Sequence, residues 1–237
     1  MSATAAIDDV YPVAGWHAEL PPGTVFGSVY AVEEADRLAA AAALTAAGIP
    51  IHADLIIARA TLPGDEAPRA EHRGVAPGLL GEIRALYPSA RIDVHVIVDA
   101  DAPSGDASRL VREAVALAAA AGAERVTLPV EHRCAGDAAV REFRESGGEV
   151  WTQLVPGGET GKIEVGESEG VLVMLIEPGT RDAADPSLLD QMAQFPPRTP
   201  FGVDGGVSRE IAETALARGA RHVVAGRSLL GRDLQGR

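Results

Sequence analysis

The sequence predicts a single α/β domain with the (β/α)8 barrel fold, a closed ring of parallel strands surrounded by helices. Short apolar segments alternate with longer helical patterns along the chain. Strands that are apolar throughout and joined by helical crossovers pair in parallel and are covered on both faces. Eight such units in 237 residues fit a closed barrel better than an open doubly wound sheet. We therefore divide the chain into an N-terminal extension, residues 1–22, and a barrel domain, residues 23–237.

The first four strands are predicted from the apolar runs TVFGSVY (24–30), IPIHADLII (49–57), RIDVHVIV (91–98) and ERVTLPV (124–130). An Ala-rich helical pattern follows the first run and ends at the helix-stopping Gly48. The second run leads through a loop, residues 58–74, to a helix near residues 76–87. After the third run, a helix is predicted from about residue 105 to residue 121.

The last four strands are predicted from EVWTQLV (149–155), GVLVMLI (170–176), TPFGVD (199–204) and RHVVAG (221–226). Helical patterns follow most of the runs and are weakest between residues 156 and 169. The chain contains no low-complexity linker. Trp16, His17 and an LPP segment within the first 22 residues predict an extension that lies against the barrel.

The composition limits the partners and the compartment. A formal net charge of −13 repels nucleic acid and anionic membranes, so we expect neither as a partner. No run approaches the roughly 18 consecutive apolar residues of a membrane-spanning helix. The N-terminus lacks the basic start of a signal peptide, and the single cysteine, Cys134, cannot form an internal disulfide. These features favour a cytoplasmic protein.

Polar residues interrupt three of the apolar strands. Strand two carries His52 and Asp54, strand three carries Asp93 and His95, and strand seven ends in Asp204 before two glycines. Taken singly, a strand histidine is more often a hydrogen-bonded core residue, and an Asp before Gly-Gly is commonly a turn former or helix cap. Together, two imidazoles and three carboxylates are costly to bury without a cation. The set therefore predicts a divalent metal with nitrogen and oxygen ligands near the ends of the strands, where barrel active sites lie.

Two glycine-containing loops after the last two strands predict an anion site. Gly205 and Gly206 precede a helical pattern, and Gly226, Arg227 and Ser228 follow the last strand. Glycines let backbone N–H groups approach an oxyanion, and helix N-termini attract negative charge. The alternative is that these glycines only close tight turns. Because barrels frequently bind phosphate after strands seven and eight, we expect a phosphorylated ligand there.

Five segments, IHADL, DVHVIVDADAP, VLVMLIEPG, VDGGV and VAGRS, resemble the successive motifs of the ribulose-phosphate 3-epimerase family in order and spacing. The resemblance covers roughly residues 24 to 231. It implies one divalent metal ion, for which zinc, iron, manganese and cobalt are candidates, with four ligands: His52, Asp54, His95 and Asp204. Asp93 lies outside that set, as the partner of a ligand. Ser28 matches the serine of the family's first strand, and Met174 matches a methionine near the substrate.

The chain departs from the family in its recognition loops. After the first aspartate the family continues with Met-Asp-Gly, whereas this chain reads LIIARATLPGD. An Asn-Pro-Gly-Phe-Gly-Gly-Gln phosphate loop after strand six is replaced by EPGTRDAADPS, which keeps only Pro178 and Gly179. Pro129 replaces a histidine of the family's fourth strand.

The resemblance implies epimerisation beside a carbonyl group. One carboxylate removes the proton, the metal stabilises the resulting enediolate, and a second carboxylate returns a proton to the opposite face; Asp54 and Asp204 fit these roles. We interpret the chain as a metal-dependent epimerase of a ketose phosphate, with ribulose 5-phosphate to xylulose 5-phosphate as the expected reaction, and we expect it to form a homo-oligomer. The residues expected to bind this small phosphorylated sugar are Ser28, Met174, Gly205, Gly206, Gly226, Arg227 and Ser228.

Two alternatives stay open: a related metal-dependent isomerase or lyase acting on another substrate, and a non-catalytic barrel that serves as a binding module. Schiff-base chemistry is disfavoured, because the only lysine, Lys162, lies in a polar run typical of a solvated loop. A decarboxylase of the orotidine-phosphate type is disfavoured as well, because its Asp-x-Lys-x-x-Asp core needs a lysine that this chain lacks.

Overall fold

The computed structural model describes residues 11–60, 69–133, 137–163, 170–178, 180 and 182–231. Its strands are β1 (Val25–Ser28), β2 (Ile51–Ala60), β3 (Arg69–Gly74), β4 (Ile92–Val98), β5 (Arg125–Leu128), β6 (Glu149–Leu154), β7 (Val171–Met174), β8 (Phe201–Asp204) and β9 (His222–Ala225). Its α-helices are α1 (Arg37–Ala46), α2 (Gly78–Leu86), α3 (Ser104–Ala120), α4 (Ala138–Glu145) and α5 (Arg209–Ala217). Short 3-10 segments lie at Gly15–Glu19, Val29–Ala31, Glu34–Asp36, Val130–His132, Thr160–Lys162 and Pro186–Gln194.

All the strands except β3 are parallel and close into a ring in the order β1-β9-β8-β7-β6-β5-β4-β2. Pairing of β1 with both β2 and β9 completes the ring. The predicted (β/α)8 barrel is thereby confirmed. Because the strands are parallel, their C-terminal ends lie on one rim, and inward side chains of β2, β4 and β8 converge towards it.

The loop predicted over residues 58–74 is wrong in part, because β2 continues to Ala60 and β3 returns alongside it. The two strands pair antiparallel from Leu55 opposite Gly74 to Ala60 opposite Arg69. Along β3, exposed residues alternate with half-buried ones, which is the period of a strand with one solvent-facing side. The sequence of β3 does not show that period as an apolar pattern, because most of its residues are charged or polar. The apolar residues of this strand pair lie on β2.

The helices cover the outside of the barrel with amphipathic faces. In α3 the buried residues recur at helical spacing: Ala107, Leu110, Val111, Ala114, Val115 and Ala118. The helix α5 begins at its N-cap, Ser208, whose side chain accepts a hydrogen bond from the N–H of Ile211. This cap fixes the start of α5 directly behind the glycine pair that follows β8.

Most of the inward side chains of the barrel are polar, whereas the main apolar core lies between the ring and the helices. Since side chains alternate along a strand, every second residue faces the interior. We call the polar interior residues the polar column; they are Ser28, His52, Asp54, Asp93, His95, Arg125, Thr127, Gln153, Asp204 and His222. A small separate cluster is formed by the apolar interior residues Phe26, Leu172, Met174 and Val224. The interior therefore depends on paired polar groups more than on apolar packing.

The described part of the N-terminal extension contacts the loop after β9. The indole Nε1 of Trp16 donates a hydrogen bond of 2.9 Å to the carbonyl oxygen of Ser228, and the N–H of Ala14 donates to the carbonyl oxygen of Leu229 at 2.8 Å. The division of the chain at residue 22 stays a prediction. Among the described helices, none is both long enough and apolar enough to cross a membrane.

Candidate active site

Four side chains from β2, β4 and β8 meet at the C-terminal end of the barrel, and we call them the ligand cluster: His52, Asp54, His95 and Asp204. One nitrogen or oxygen atom of each lies within 4.8 Å of the corresponding atoms of the others. The Oδ1 atom of Asp54 lies 3.2 Å from Nε2 of His52 and 3.3 Å from Nδ1 of His95. The Oδ2 atom of Asp204 lies 3.7 Å and 3.5 Å from the same two nitrogens.

Each carboxylate of the ligand cluster has one oxygen held by the protein. The hydroxyl of Ser28 donates to Oδ2 of Asp54 at 2.8 Å, and the N–H of Gly205 donates to Oδ1 of Asp204 at 2.6 Å. The other oxygen of each carboxylate faces the two histidines. The carboxylates are therefore oriented before any ligand arrives, which lowers the entropic cost of binding one.

Each imidazole is held in the same way through its outer nitrogen. Nδ1 of His52 lies 2.6 Å from Oδ2 of Asp93, and Nε2 of His95 lies 2.7 Å from Oε1 of Gln153. Since Asp93 and the amide oxygen can only accept there, each outer nitrogen carries the proton, and in the neutral ring the inner nitrogen presents a lone pair. The inner Nδ1 of His95 is buried and makes no hydrogen bond within the described residues.

The ligand cluster attracts positive charge. Burial by itself lowers the pKa of His95, but the nearby carboxylates of Asp204 and Asp54 outweigh burial and raise it to about 9. Burial likewise opposes protonation of His52, yet Asp54 and Asp93 raise its pKa well above the ordinary value. Burial would raise the pKa of Asp54, but the two histidines hold it below its usual range. Protonated imidazoles thus balance the carboxylates when no other cation does.

The donor set fits a divalent metal ion. Two inward imidazole nitrogens and two inward carboxylate oxygens form a mixed nitrogen and oxygen set of the kind that binds zinc, iron, manganese or cobalt. A bound ion would take the place of the two imidazole protons, because only neutral imidazole is a ligand. Nδ1 of His95 is buried without a hydrogen bond within the described residues and faces the carboxylates of Asp54 and Asp204, so it is well placed to bind such an ion.

A cavity of about 390 Å³ lies over the ligand cluster. Asp54 and Asp204 line it, and so do all seven residues predicted to bind substrate: Ser28, Met174, Gly205, Gly206, Gly226, Arg227 and Ser228. Tyr30, Ile97 and Thr180 contribute to the same wall. The two carboxylates are therefore the titratable members of the ligand cluster that face the cavity, while the histidines lie beneath them.

Two of the cavity glycines have conformations and surroundings that exclude a side chain. Gly205 and Gly206 have φ angles of +100° and +64°. A Cβ atom on Gly205 would lie 2.6 Å from the side chain of Ile176, and one on Gly206 would lie 3.0 Å from the backbone nitrogen of Ala184. Both glycines are thus required for the path of the chain from β8 to α5, whatever the cavity binds.

Sequence reasoning missed three residues that lie next to the ligand cluster or below its partner Asp93. Gln153 holds His95, and Arg125 and His222 lie below Asp93. The available signal was weak but present: Arg125 and Gln153 are polar residues at the inward phase of β5 and β6, the same phase that singled out His52 and Asp54. Of the strand-six loop, Gly179 lies outside the described residues, whereas Thr180 lines the cavity.

No protein-family model matches the chain, and no curated protein matches it either. Among solved structures, a tryptophan synthase α-subunit variant from Pyrococcus furiosus aligns with a TM-score of 0.55 at 20% identity, covering 87% of this chain and 88% of that one. Phosphoribosyl anthranilate isomerase from Thermus thermophilus aligns with a TM-score of 0.54 at 18% identity, covering 86% and 88%. N-acetylmannosamine-6-phosphate 2-epimerase from Clostridium perfringens aligns with a TM-score of 0.56 at 14% identity, covering 92% of each chain.

These likenesses are to barrel enzymes whose alignments span almost the whole of the chain. At such low identities they show the fold that the ring of strands already displays. They leave the resemblance to the ribulose-phosphate 3-epimerase family as a prediction, which rests on the strand motifs and the residues that they carry.

Proposed function

We propose that the chain is a metal-dependent epimerase of a ketose phosphate and that it interconverts ribulose 5-phosphate and xylulose 5-phosphate. The observation that carries the proposal is the pair Asp54 and Asp204. Both face one cavity, each has one oxygen fixed by Ser28 or by the N–H of Gly205, and two buried histidines lie beneath them. The resemblance in strand motifs supports the same reaction, and a neighbour in fold is named as an epimerase of a phosphorylated sugar.

His52, Asp54, His95 and Asp204 would hold the metal. A bound divalent ion supplies Lewis-acid stabilisation of the negative charge that develops on a substrate oxygen next to the reacting carbon. The protein's own contribution is to fix the ligands in place, through Ser28, Asp93, Gln153 and the N–H of Gly205, so that little reorganisation is needed during the reaction.

Asp54 and Asp204 would move the proton. They come from β2 and β8, which are separated in the ring by β1 and β9, so their carboxylates approach the cavity from different sides. One carboxylate accepts the proton from the carbon beside the carbonyl; the electron pair of the broken C–H bond forms a C=C double bond, and the π pair of the carbonyl group moves to its oxygen. The other carboxylate, protonated beforehand, donates its proton to the opposite face of that carbon. The two exchange roles when the reaction runs backwards.

Phosphate would lie against two loops: the loop after β8, which contains Gly205 and Gly206, and the loop after β9, which contains Gly226, Arg227 and Ser228. Gly206, Gly226 and Arg227 line this end of the cavity, and glycine N–H groups and guanidinium groups are of the kind that binds oxyanions. The overall charge of −13 opposes an anionic substrate, so a local positive group is needed to hold it.

The test is turnover of ribulose 5-phosphate in D₂O, followed by NMR, with metal content measured on the same samples. The wild type should form xylulose 5-phosphate and gain deuterium at the epimerised carbon. Asp54→Asn and Asp204→Asn should each stop epimerisation, and His95→Ala should lose most bound metal while the barrel stays folded. The matched control is Asp190→Asn, which removes an exposed carboxylate outside the cavity.

Three results would contradict the proposal. Full turnover by both aspartate variants with metal retained would exclude the two-carboxylate mechanism. A metal-supplemented wild type that binds no divalent ion would exclude the metal site, and binding without turnover would favour the non-catalytic alternative or another substrate.

A further inference from the structure

Below the ligand cluster, at the N-terminal end of the barrel, an arginine occupies the interior. The side chain of Arg125 on β5 is only 12% exposed. We propose that Arg125 is a positioning residue for His52, acting through Asp93. The inference rests on the proposed metal site and goes beyond it, because Arg125 is too deep in the barrel to contact a metal or a substrate in the cavity.

Asp93 connects the two residues. It is 1% exposed, its Oδ2 lies 2.6 Å from Nδ1 of His52, and its Oδ1 lies 3.5 Å from Nη1 of Arg125. When His52 is a neutral ligand, its N–H still donates to Asp93, and the buried carboxylate keeps a full negative charge. Arg125 offsets this charge at Oδ1, the oxygen that does not contact His52, which holds the carboxylate of Asp93 in line with the imidazole.

Arg125 is itself held from several directions. Its guanidinium carbon lies 4.1 Å from the centroid of the Trp151 ring and 5.6 Å from that of Phe26. Its Nε lies 3.4 Å from Oε2 of Glu149, and its Nη1 lies 3.2 Å from Nε2 of His222. A guanidinium in contact with two aromatic rings, a carboxylate and an imidazole has little freedom to move, so the position of Asp93 is defined as well.

A purely structural role explains this arrangement less well. Buried ion pairs often stabilise a fold no more than well-packed apolar residues of the same volume, because desolvation cancels the Coulomb attraction. An apolar side chain at position 125 could fill the end of the barrel without contacts to Trp151, Glu149 and His222. What an apolar residue could not do is offset the charge of Asp93 behind His52.

The experiment compares Arg125→Met, which keeps length and removes charge, with Arg125→Lys, which keeps the charge. The control is Arg91→Met at the same end of the barrel; Arg91 is half exposed, pairs with Glu124 and also lies near Phe26. Cobalt(II) affinity is measured by competition with a chelator, the visible spectrum of the cobalt-loaded protein is recorded, and thermal unfolding of the metal-free protein is followed. Asp93→Asn and the double variant with Arg125→Met complete a mutant cycle.

Arg125→Met should weaken cobalt binding about tenfold or more and shift the visible bands, the size of effect that partners of metal ligands have. Arg125→Lys should restore most of the affinity, and Arg91→Met should weaken cobalt binding far less than Arg125→Met, because Arg91 is half exposed and pairs with Glu124. In the Asp93→Asn background the effect of Arg125→Met should largely disappear. If Arg125→Met does not fold, Arg125→Gln, which removes the charge but keeps a donor, takes its place in every comparison.

Unchanged cobalt affinity and spectrum in a folded Arg125→Met would overturn the inference, as would an effect that is undiminished in the Asp93→Asn background. Either result leaves the proposed function standing, because the wild type still binds cobalt. A wild type that binds no cobalt would instead overturn the metal site and this inference together.

Discussion

His222 is a buried histidine that stays neutral in the folded protein. Burial and the positive charge of Arg125 lower its pKa to about 3, and the opposing charge of Asp93 is too weak to prevent this. In the unfolded chain a histidine has a pKa of about 6.5. Between these two values the unfolded state binds a proton that the folded state does not, so the free energy of unfolding falls as the pH falls through this window.

We expect His222→Gln to remove this acid sensitivity. One proton taken up on unfolding corresponds to about 1.4 kcal/mol per pH unit, so the wild type should lose about 2 kcal/mol from this residue between pH 7 and pH 5. The variant should lack that part of the slope, as measured by urea unfolding at both pH values. Identical slopes for the two proteins would show that His222 is protonated in the folded barrel.

Arg227 lies at the other end of the barrel and lines the cavity. If it binds the phosphate of the substrate, Arg227→Ala should raise KM for ribulose 5-phosphate about tenfold with a smaller effect on kcat, because the charge is remote from the reacting carbon. Arg218→Ala, which removes an exposed arginine paired with Asp190, is the matched control. An unchanged KM would remove Arg227 from the phosphate site.

Single residues could be predicted from the sequence where strand phase and chemistry agree. His52, Asp54, His95 and Asp204 were found because they are polar at alternate positions of apolar strands, and the structure brings them together. Gln153 could not be assigned, because its partner His95 lies 58 residues away and an amide in a strand has no single role. The pairing of Arg125 with His222, 97 residues apart, was hidden for the same reason.

At the scale of elements, β3 shows what apolar patterning alone misses. The eight parallel strands were predicted because each carries its own apolar run. The strand β3 has no such run and is held in place by hydrogen bonds to β2 and to α3. The carboxylate of Asp106 in α3 accepts a hydrogen bond of 3.4 Å from the N–H of Ala70, a group on β3. The segment Pro186–Gln194 after β7 is a further departure, since it is a 3-10 helix where most crossovers of the barrel have α-helices.

Among the described strands, β3 pairs on one side only, and its exposed residues are charged. Glu71 and Arg73 form an ion pair of 3.1 Å on that surface. Because charges of this kind keep a strand from pairing with another chain, Glu71→Val combined with Arg73→Val should cause concentration-dependent self-association beyond that of the wild type. Analytical ultracentrifugation measures it. Arg109→Val with Glu113→Val, an exposed pair on α3, is the control, and equal association in both variants would remove β3 as the cause.

At the scale of the whole molecule, the closed barrel was predictable because it follows from a count of similar units. Parallel apolar strands need helices on their outer face, and eight of them close without leaving an edge. The polar column was not predictable as a whole, because it arises from residues on β1, β2, β4, β5, β6, β8 and β9 that become neighbours only when the ring is complete. The sequence thus indicates the outer packing of the barrel more fully than its interior.

The pairing of β1 with β9 has a consequence for how the chain folds. Most neighbouring strands in the ring are also neighbours along the chain, and they can pair as each helix forms between them. Val25 and Val223 also pair, yet they come from the two ends of the described chain. Contacts between such distant segments form slowly, because a long loop must close first. Until that loop closes, the sheet is open, and β1 and β9 are each paired on one side only. We therefore expect ring closure to be a late step in refolding.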